Sequence, residues 1–160
     1  MDLENIKILA VDDNKDNLTV YKGLLLEAFN NITIYTAMSG KEAINKVKEK
    51  SPDVILLDVK MPEMDGFEVC RIIKSDDSTN HIPIVFITAY DEKSAKIKAL
   101  EVGGEAFLAK PIDEAELTAQ IKAMIKIKAA EDKIRTEKDR LSELVKQRTQ
   151  ELEKELNERK

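Results

Sequence analysis

Five short apolar runs alternate along the chain with segments whose apolar residues recur at helical spacing. Each run is as long as a typical strand, is apolar almost throughout and is bounded by polar or turn-forming residues. The runs cover residues 6–11, 32–35, 54–57, 84–87 and 106–109. Five buried strands that alternate with five helices predict an α/β fold, in which a doubly wound parallel sheet is covered by helices on both faces.

The helical segments carry their apolar residues three or four positions apart, which predicts one buried face for each helix. The predicted inward positions are Leu18, Tyr21, Leu25 and Phe29; Ala43, Ile44 and Val47; Phe67, Val69, Ile72 and Ile73; Ile97, Leu100 and Val102; and Leu117, Ile121 and Ile125. Asp113, with Glu116 three residues later, predicts the start of the fifth helix because this spacing is typical of a capping box.

The fifth helix has no stop signal, because all five glycines and all four prolines lie at or before Pro111. We therefore expect one globular domain over residues 1–125 and a continuous helix over residues 126–160. A heptad interpretation places Ile127, Ile134, Leu141 and Arg148 in one core column and Glu131, Lys138, Val145 and Leu152 in the other. We predict a parallel coiled coil with a second copy; the alternative is a solvated single helix.

Charge and composition exclude several classes of function. Residues 1–125 have a net charge of −7 and residues 126–160 a net charge of +2, so neither segment has the basic surface that nucleic-acid binding requires. One cysteine, Cys70, cannot form an internal disulfide, which indicates a reducing cytoplasm. No apolar run approaches the ~20 residues of a membrane-spanning helix, so we expect no membrane span.

Charged and hydroxyl side chains stand at the ends of four predicted strands. Asp12 and Asp13 end the first run, Asp58 the third, Thr88 the fourth and Lys110 the fifth. The carboxyl ends of parallel strands share one edge of the sheet, so these side chains should meet there. Three carboxylates repel one another unless a cation lies among them, and Mg²⁺ prefers such oxygen ligands. A carboxylate beside Mg²⁺ and a lysine can attack a phosphoryl group and form an acyl phosphate.

These stretches resemble the response-regulator receiver domain over residues 4–125. The matching stretches are residues 8–14 (ILAVDDN), 54–66 (VILLDVKMPEMDG), 84–89 (IVFITA) and the Lys110-Pro111 pair. The resemblance implies a flavodoxin-like fold with strand order 2-1-3-4-5. It also implies that Asp58 is the phosphorylated residue.

The same resemblance implies roles for the residues around Asp58. Asp12 and Asp13 would serve Mg²⁺ together with Asp58 and the backbone carbonyl of Lys60. Lys110 would pair with the phosphoryl group, and Thr88 would be the switch hydroxyl. The Lys110-Pro111 peptide bond is often cis in this family, so its geometry must be examined.

Three further positions qualify the resemblance. The aromatic switch residue is Phe107, where tyrosine is frequent, so a ring hydroxyl cannot contribute to switching. Lys60 and Tyr90 should flank the mouth of the site and influence how water reaches the acyl phosphate. In the family the face formed by the fourth helix, fifth strand and fifth helix, here residues 94–123, often makes dimers.

The function expected from the resemblance is that of a phospho-acceptor in two-component signalling. Its partner would be a sensor histidine kinase or a phosphotransfer protein, and homodimers would form through the C-terminal helix or the face of residues 94–123. The protein would not be a turnover enzyme, since it would catalyse only its own phosphorylation and dephosphorylation.

Three alternatives remain beside that function. A haloacid-dehalogenase-like phosphatase needs a second aspartate two residues after the nucleophile, and Lys60 stands there. A dimerisation module that does not depend on phosphorylation is the second alternative. The third is a receiver fragment of a larger hybrid kinase or nucleotide cyclase, because residues 144–156 (LVKQRTQELEKEL) look like the connector helices of such proteins.

Overall fold

The computed structural model describes residues 5–89 and 93–159, and the five predicted strands and five predicted helices are present in this part of the chain. The strands are β1 (Ile6–Val11), β2 (Ile32–Ala37), β3 (Val54–Asp58), β4 (Ile84–Thr88) and β5 (Ala106–Ala109). The helices are α1 (Lys15–Ala28), α2 (Gly40–Lys50), α3 (Gly66–Ser75), α4 (Lys93–Glu101) and α5 (Glu114–Glu158). The predicted bounds of β1 and β5 are confirmed, and β2 continues two residues further than predicted.

The strands form one parallel sheet in the order β2-β1-β3-β4-β5, which confirms the order implied by the sequence resemblance. β1 pairs with both β2 and β3, and β4 lies between β3 and β5. The chain therefore reverses its direction of winding next to β1 and β3. A crevice forms beyond the carboxyl ends of strands at such a point.

Alternate residues of the strands pack against helices on opposite faces of the sheet, as the two-residue period of a strand requires. On one face Leu57 and Phe86 pack with buried residues of α2 and α3. On the other face Leu56 and Ile87 pack with buried residues of α1 and the first turns of α5. Both faces are covered, which explains why the central strands are apolar throughout.

Two of the predicted helix faces need correction. In α3 the buried residues include Cys70 and Ile73, whereas Ile72 is exposed, because Cys70 rather than Ile72 continues the face set by Phe67. In α4 the buried residue is Ala99, and the predicted Ile97 and Leu100 are exposed. A small residue at the contact lets α4 lie close to the sheet, and its larger apolar side chains then face outward.

Polar side chains cap the starts of four helices and thereby satisfy backbone N–H groups that the helix leaves unpaired. Asn14, Ser39 and Asp65 accept hydrogen bonds from the first turns of α1, α2 and α3. Asp113 Oδ2 accepts from the backbone N–H of Glu116 at 3.0 Å, which confirms the predicted start of the fifth helix.

The chain divides into two compact units, Met1–Ile125 and Lys126–Lys160. The second unit consists of the later turns of α5, which continue without a break to Glu158, as the absence of glycine and proline predicts. Its pairing with a second copy stays a prediction. No helix in the described part of the chain combines the length and the apolar character that a membrane span requires.

Candidate functional site

The predicted site residues meet at the carboxyl edge of the sheet. Asp58 and Thr88 are the last residues of β3 and β4, and Asp12 directly follows β1. All three are almost completely buried, whereas Asp13 is exposed. Asp12, Asp13 and Asp58 each offer a carboxylate oxygen, and these three oxygens lie within 4.8 Å of one another. The fold therefore concentrates three acidic groups at one point of the rim.

One lysine offsets part of this negative charge. The Nζ atom of Lys110, which directly follows β5, lies 3.3 Å from Asp12 Oδ2 and 3.3 Å from Asp58 Oδ1. Its backbone N–H donates to the carbonyl oxygen of Thr88 at 2.8 Å, which fixes the chain at the end of β4. The Lys110-Pro111 peptide bond is cis, as expected. A single ammonium group thus bridges two buried carboxylates.

Asp12 is held by a network that sequence patterns did not reveal. Its Oδ2 atom accepts hydrogen bonds from the Tyr21 hydroxyl at 2.9 Å and from Asn17 Nδ2 at 3.1 Å, besides the contact with Lys110. Its Oδ1 atom accepts from the backbone N–H of Asn14 at 2.9 Å. Four donors keep this carboxylate in place and compensate for its removal from water.

Tyr21 was predicted only as a member of the apolar stripe of α1. Its ring does pack in the core, but its hydroxyl reaches the acidic cluster. Burial raises the pKa of Tyr21, and the hydrogen bond to Asp12 and the charges of Asp12 and Asp58 raise it further. The phenol therefore stays protonated and acts as a donor. The sequence signal for this role was a tyrosine, rather than a purely apolar residue, on the inward face of α1.

The pKa of Asp58 is raised to about 6. Burial is the main cause and the charge of Asp12 is the second, while the charge and hydrogen bond of Lys110 act in the opposite direction. The charge of Asp13 adds a smaller increase. Near neutral pH the carboxylate is still ionised, but it is less stable as an anion than an ordinary aspartate. A nearby cation stabilises such a carboxylate, and protonation or covalent modification removes its unfavourable charge.

The donor set of the cluster fits Mg²⁺. Hard divalent cations prefer carboxylate and carbonyl oxygens, and the three aspartates supply the carboxylates. Asp13 is exposed and Asp58 has one oxygen that is not in the ion pair with Lys110, so both can turn an oxygen toward an ion. The repulsion that raises the pKa of Asp58 also favours cation binding at this point. Lys60, whose carbonyl was predicted as a further ligand, follows β3 by two residues and is exposed.

The loop after Asp58 is shaped by the close approach of Gly66. A Cβ atom at Gly66 would lie 2.3 Å from the backbone carbonyl oxygen of Asp58. The backbone N–H of Gly66 donates to the carbonyl oxygen of Val59 at 2.8 Å, and α3 starts at this glycine. Only glycine permits this contact, so Gly66 sets the position of the Asp58 backbone.

The two predicted switch residues occupy neighbouring strands. Thr88 is buried at the end of β4, and Phe107 lies half-buried in β5, packed against the core. Phe86 of β4 is paired with Phe107 of β5 in the strand register, two residues before Thr88. Lys96 Nζ of α4 lies 5.8 Å from the centre of the Phe107 ring. Tyr90, the residue predicted at the mouth, lies outside the described residues.

Comparison with known proteins agrees with this geometry. Residues 8–122 match the response regulator receiver domain family. The chain belongs to the receiver family. The match contains every predicted site residue, from Asp12 to Lys110, and ends before the Lys126–Lys160 unit.

Relatives of this receiver differ in how much of their length it covers. Response regulator PleD of Caulobacter vibrioides is 42% identical over 129 residues, which make up 81% of this chain and 28% of PleD. Polar-differentiation response regulator DivK of Brucella anthropi is 35% identical over 118 residues, 74% of this chain and 94% of DivK. The chain thus spans only about a quarter of PleD but nearly all of DivK.

A solved structure gives the same result for the fold. Chemotaxis protein CheY4 of Vibrio cholerae superposes with a TM-score of 0.68 and 29% identity, covering 74% of this chain and 98% of CheY4. Receiver domains bind Mg²⁺ at an acidic pocket, and the Asp12, Asp13 and Asp58 cluster is such a pocket.

Proposed function

We propose that this receiver accepts a phosphoryl group on Asp58, from a sensor histidine kinase or a phosphotransfer protein, with Mg²⁺ at the acidic cluster. The observation that carries the proposal is the position of Lys110 Nζ, 3.3 Å from both Asp12 and Asp58. A lysine that joins two buried carboxylates beside a third is arranged to balance charge as a phosphoryl group arrives.

The reaction begins when a carboxylate oxygen of Asp58 attacks the phosphorus atom of the donor. The bond from phosphorus to the donor nitrogen breaks as the new phosphorus–oxygen bond forms, and the donor imidazole leaves with the electron pair. Asp13 and Asp58, with Asp12 close behind, would hold Mg²⁺, which supplies positive charge to the phosphoryl oxygens. The Lys110 ammonium group, which lies 3.3 Å from Asp58 Oδ1, would then pair with an oxygen of the new phosphoryl group.

Phosphorylation is then read out by Thr88 and Phe107. The Thr88 hydroxyl would turn toward the phosphoryl oxygens, and Phe107 would occupy the space that Thr88 leaves. Phe107 is half-buried, and because its ring has no hydroxyl, the change would be one of packing alone. The face of residues 94–123 would change shape, and the exposed Ile97 and Leu100 of α4 offer apolar contacts to a second copy there.

The output we propose is a change in dimer geometry that passes through α5. Parallel pairing of the Lys126–Lys160 helices joins two receivers at the same end of the pair, so both receivers can act on it together. The downstream effector would be a further domain or partner that senses the pair, as in a receiver fragment of a larger hybrid kinase or cyclase. A dimerisation module that ignores phosphorylation is the competing function.

Two further assignments complete the proposal. We propose that the protein is no turnover enzyme, since phosphoryl transfer to Asp58 consumes its own side chain and each cycle ends with hydrolysis. We place it in the cytoplasm, because Cys70 is a free, buried thiol hydrogen-bonded to the carbonyl oxygen of Val102 and needs no oxidising compartment.

Intact-mass measurement after incubation with acetyl phosphate and Mg²⁺ tests the proposed chemistry. We expect the mass of one phosphoryl group, absent without Mg²⁺ and absent in D58A. A mass gain in D58A would overturn the assignment of Asp58. Failure of the native chain to gain mass, with acetyl phosphate and with a phosphorylated histidine donor alike, would favour the phosphorylation-independent module.

A further inference from the structure

The Lys126–Lys160 unit exposes a row of large apolar side chains. Its exposed residues of this kind are Ile127, Ile134, Leu141, Leu144, Val145, Leu152 and Leu156, each between 45% and 68% accessible. An open groove on this face is lined by Ile134, Leu141 and Val145, with Glu137, Lys138 and Ser142 at its sides. A helix with an apolar row in water gains most of its stability when that row is covered.

All of these exposed apolar residues except Leu144 follow an 11-residue repeat. Three columns arise when positions eleven residues apart are read together: Ala130, Leu141 and Leu152; Ile134, Val145 and Leu156; and Ile127, Lys138 and Thr149. The nine positions are separated by steps of three, four and four residues without interruption. Two columns are wholly apolar, and the third contains one charge, at Lys138. We call these nine positions the seam.

The seam accounts for the side chains better than the heptad interpretation does. A strict heptad places Glu131, Lys138 and Arg148 in the core, and its next position would be Glu155. The 11-residue repeat replaces Arg148 by Thr149 and Glu155 by Leu156. In the structure Arg148 Nη1 pairs with Glu151 Oε2 at 3.1 Å, and both side chains are more than 60% exposed. Arg148 is thus satisfied on the surface.

We propose that α5 pairs with a second copy of this chain through the 11-residue seam, as a nearly straight or slightly right-handed pair rather than a left-handed heptad coiled coil. The inference deepens the proposed function, since it rests on the proposed homodimer and specifies its contact. Eleven residues in three turns give 3.67 residues per turn, slightly more than a straight α-helix, and that difference sets the right-handed sense.

Charge supports a second copy in parallel register as the occupant. At about 100° per residue, Lys138 leans to one side of the seam and Glu137 lies on the other side, one residue away. Two-fold symmetry in a parallel pair places Lys138 of each copy beside Glu137 of the second copy. An antiparallel pair instead sets the same side of both helices together, so Lys138 of one copy does not meet Glu137 of the second. Glu137 already pairs with Arg140 of its own helix, and in a parallel pair it would also meet Lys138 of the second copy. The single charge in the seam therefore has its complement in an identical, parallel partner.

Sedimentation equilibrium of the full chain, without phosphoryl donor, measures the dimer dissociation constant. Substitutions at the adjacent positions 148 and 149 distinguish the heptad core from the seam. T149L adds an apolar side chain to the seam, whereas R148L adds one to the heptad core and leaves the seam unchanged. We expect T149L to tighten the dimer dissociation constant about tenfold and R148L to change it less than about threefold. Leu141 belongs both to the seam and to the heptad core, so L141E should abolish pairing through α5.

The outcomes separate the seam from the proposed homodimer. A larger tightening by R148L than by T149L overturns the 11-residue seam and leaves the homodimer intact. Monomers at every concentration, for the native chain and T149L alike, overturn pairing through α5 altogether. A dimer that persists unchanged in L141E also overturns it, because association then resides in the receiver unit.

Discussion

The two parts of α5 use the same kind of helix in opposite ways. Before the boundary at residue 125, Leu117, Ile121 and Met124 are at most 5% exposed and pack under the sheet. After it, Ile134 and Val145 are 68% and 65% exposed. The turns of α5 in the receiver unit thus bury their apolar residues, whereas the later turns leave the same residue types exposed.

The difference extends to charge. In the receiver unit, buried carboxylates share Lys110, and their oxygens are engaged by several donors. In the later helix, charges form exposed pairs between residues three apart, such as Arg140 with Glu137 and Arg135 with Asp132. Exposed pairs of this kind contribute little stability, while buried charges are costly to separate. Buried charge is therefore a feature of the first unit, and exposed charge pairs are a feature of the second.

The largest expected effect comes from comparing one lysine in each unit. K110M removes the ammonium group that bridges Asp12 and Asp58, so we expect the rate of phosphoryl acceptance to fall about 100-fold. K154M removes an exposed lysine of the later helix that lies outside the seam, and it should leave that rate unchanged. Time courses of intact mass with acetyl phosphate and Mg²⁺ provide both rates. Equal rates for K110M and the native chain would show that Lys110 takes no part in transfer.

A pair of glycines tests how tightly the first unit is built. G66A places a methyl group against the Asp58 carbonyl, and we expect the free energy of unfolding to fall by about 3 kcal/mol. G23A, on the exposed face of α1, is the matched control. Apart from the adjacent helix backbone and its chain neighbours, no atom of the described residues lies within 4 Å of the added methyl group, so the free energy of unfolding should rise by about 0.5–1 kcal/mol. Urea denaturation measures both. Similar stabilities for the two variants would contradict the described contact.

The smallest expected effect is a pH dependence confined to the receiver unit. In folded protein without Mg²⁺ the pKa of Asp58 is about 6, against about 3.9 for an unfolded aspartate. The folded state therefore binds the proton more tightly, and stability decreases as pH rises from about 4 to about 6. We expect the free energy of unfolding to fall by about 2 kcal/mol over this range, after allowance for solvent screening.

D58N removes the titrating group and serves as the control for this dependence. Urea denaturation at pH 4 and pH 8 should show a lower free energy of unfolding at pH 8 for the native chain, a loss that is absent in D58N. Added Mg²⁺ should recover part of the native stability at pH 8. The same loss in D58N would assign the dependence to another group.

The sequence was sufficient for the fold and for most of the site. Strand-sized apolar runs predicted all five strands, because a strand buried on both faces leaves no choice of residue type. The charged residues that follow these runs predicted the rim, because parallel strands end at the same edge. Asp12, Asp58 and Lys110 meet there as expected.

Other features depend on tertiary contacts that periodicity does not encode. The exposed Ile97 and Leu100 misled the prediction for α4, where the small Ala99 makes the contact with the core. Tyr21 was assigned to the core by its spacing, but the direction of its hydroxyl depends on how α1 lies over the strand ends. Orientation across elements, rather than residue type, was the missing information.

Chemical mapping of the phosphorylated carboxylate tests the central claim most directly. Reduction of an acyl phosphate with borohydride converts the aspartate into homoserine, and peptide mass spectrometry locates the converted residue. After incubation with acetyl phosphate and Mg²⁺, we predict homoserine at position 58 and unchanged aspartates at positions 12 and 13. Conversion of Asp12 or Asp13 while Asp58 stays intact would contradict the assignment of Asp58 as the phosphoryl acceptor.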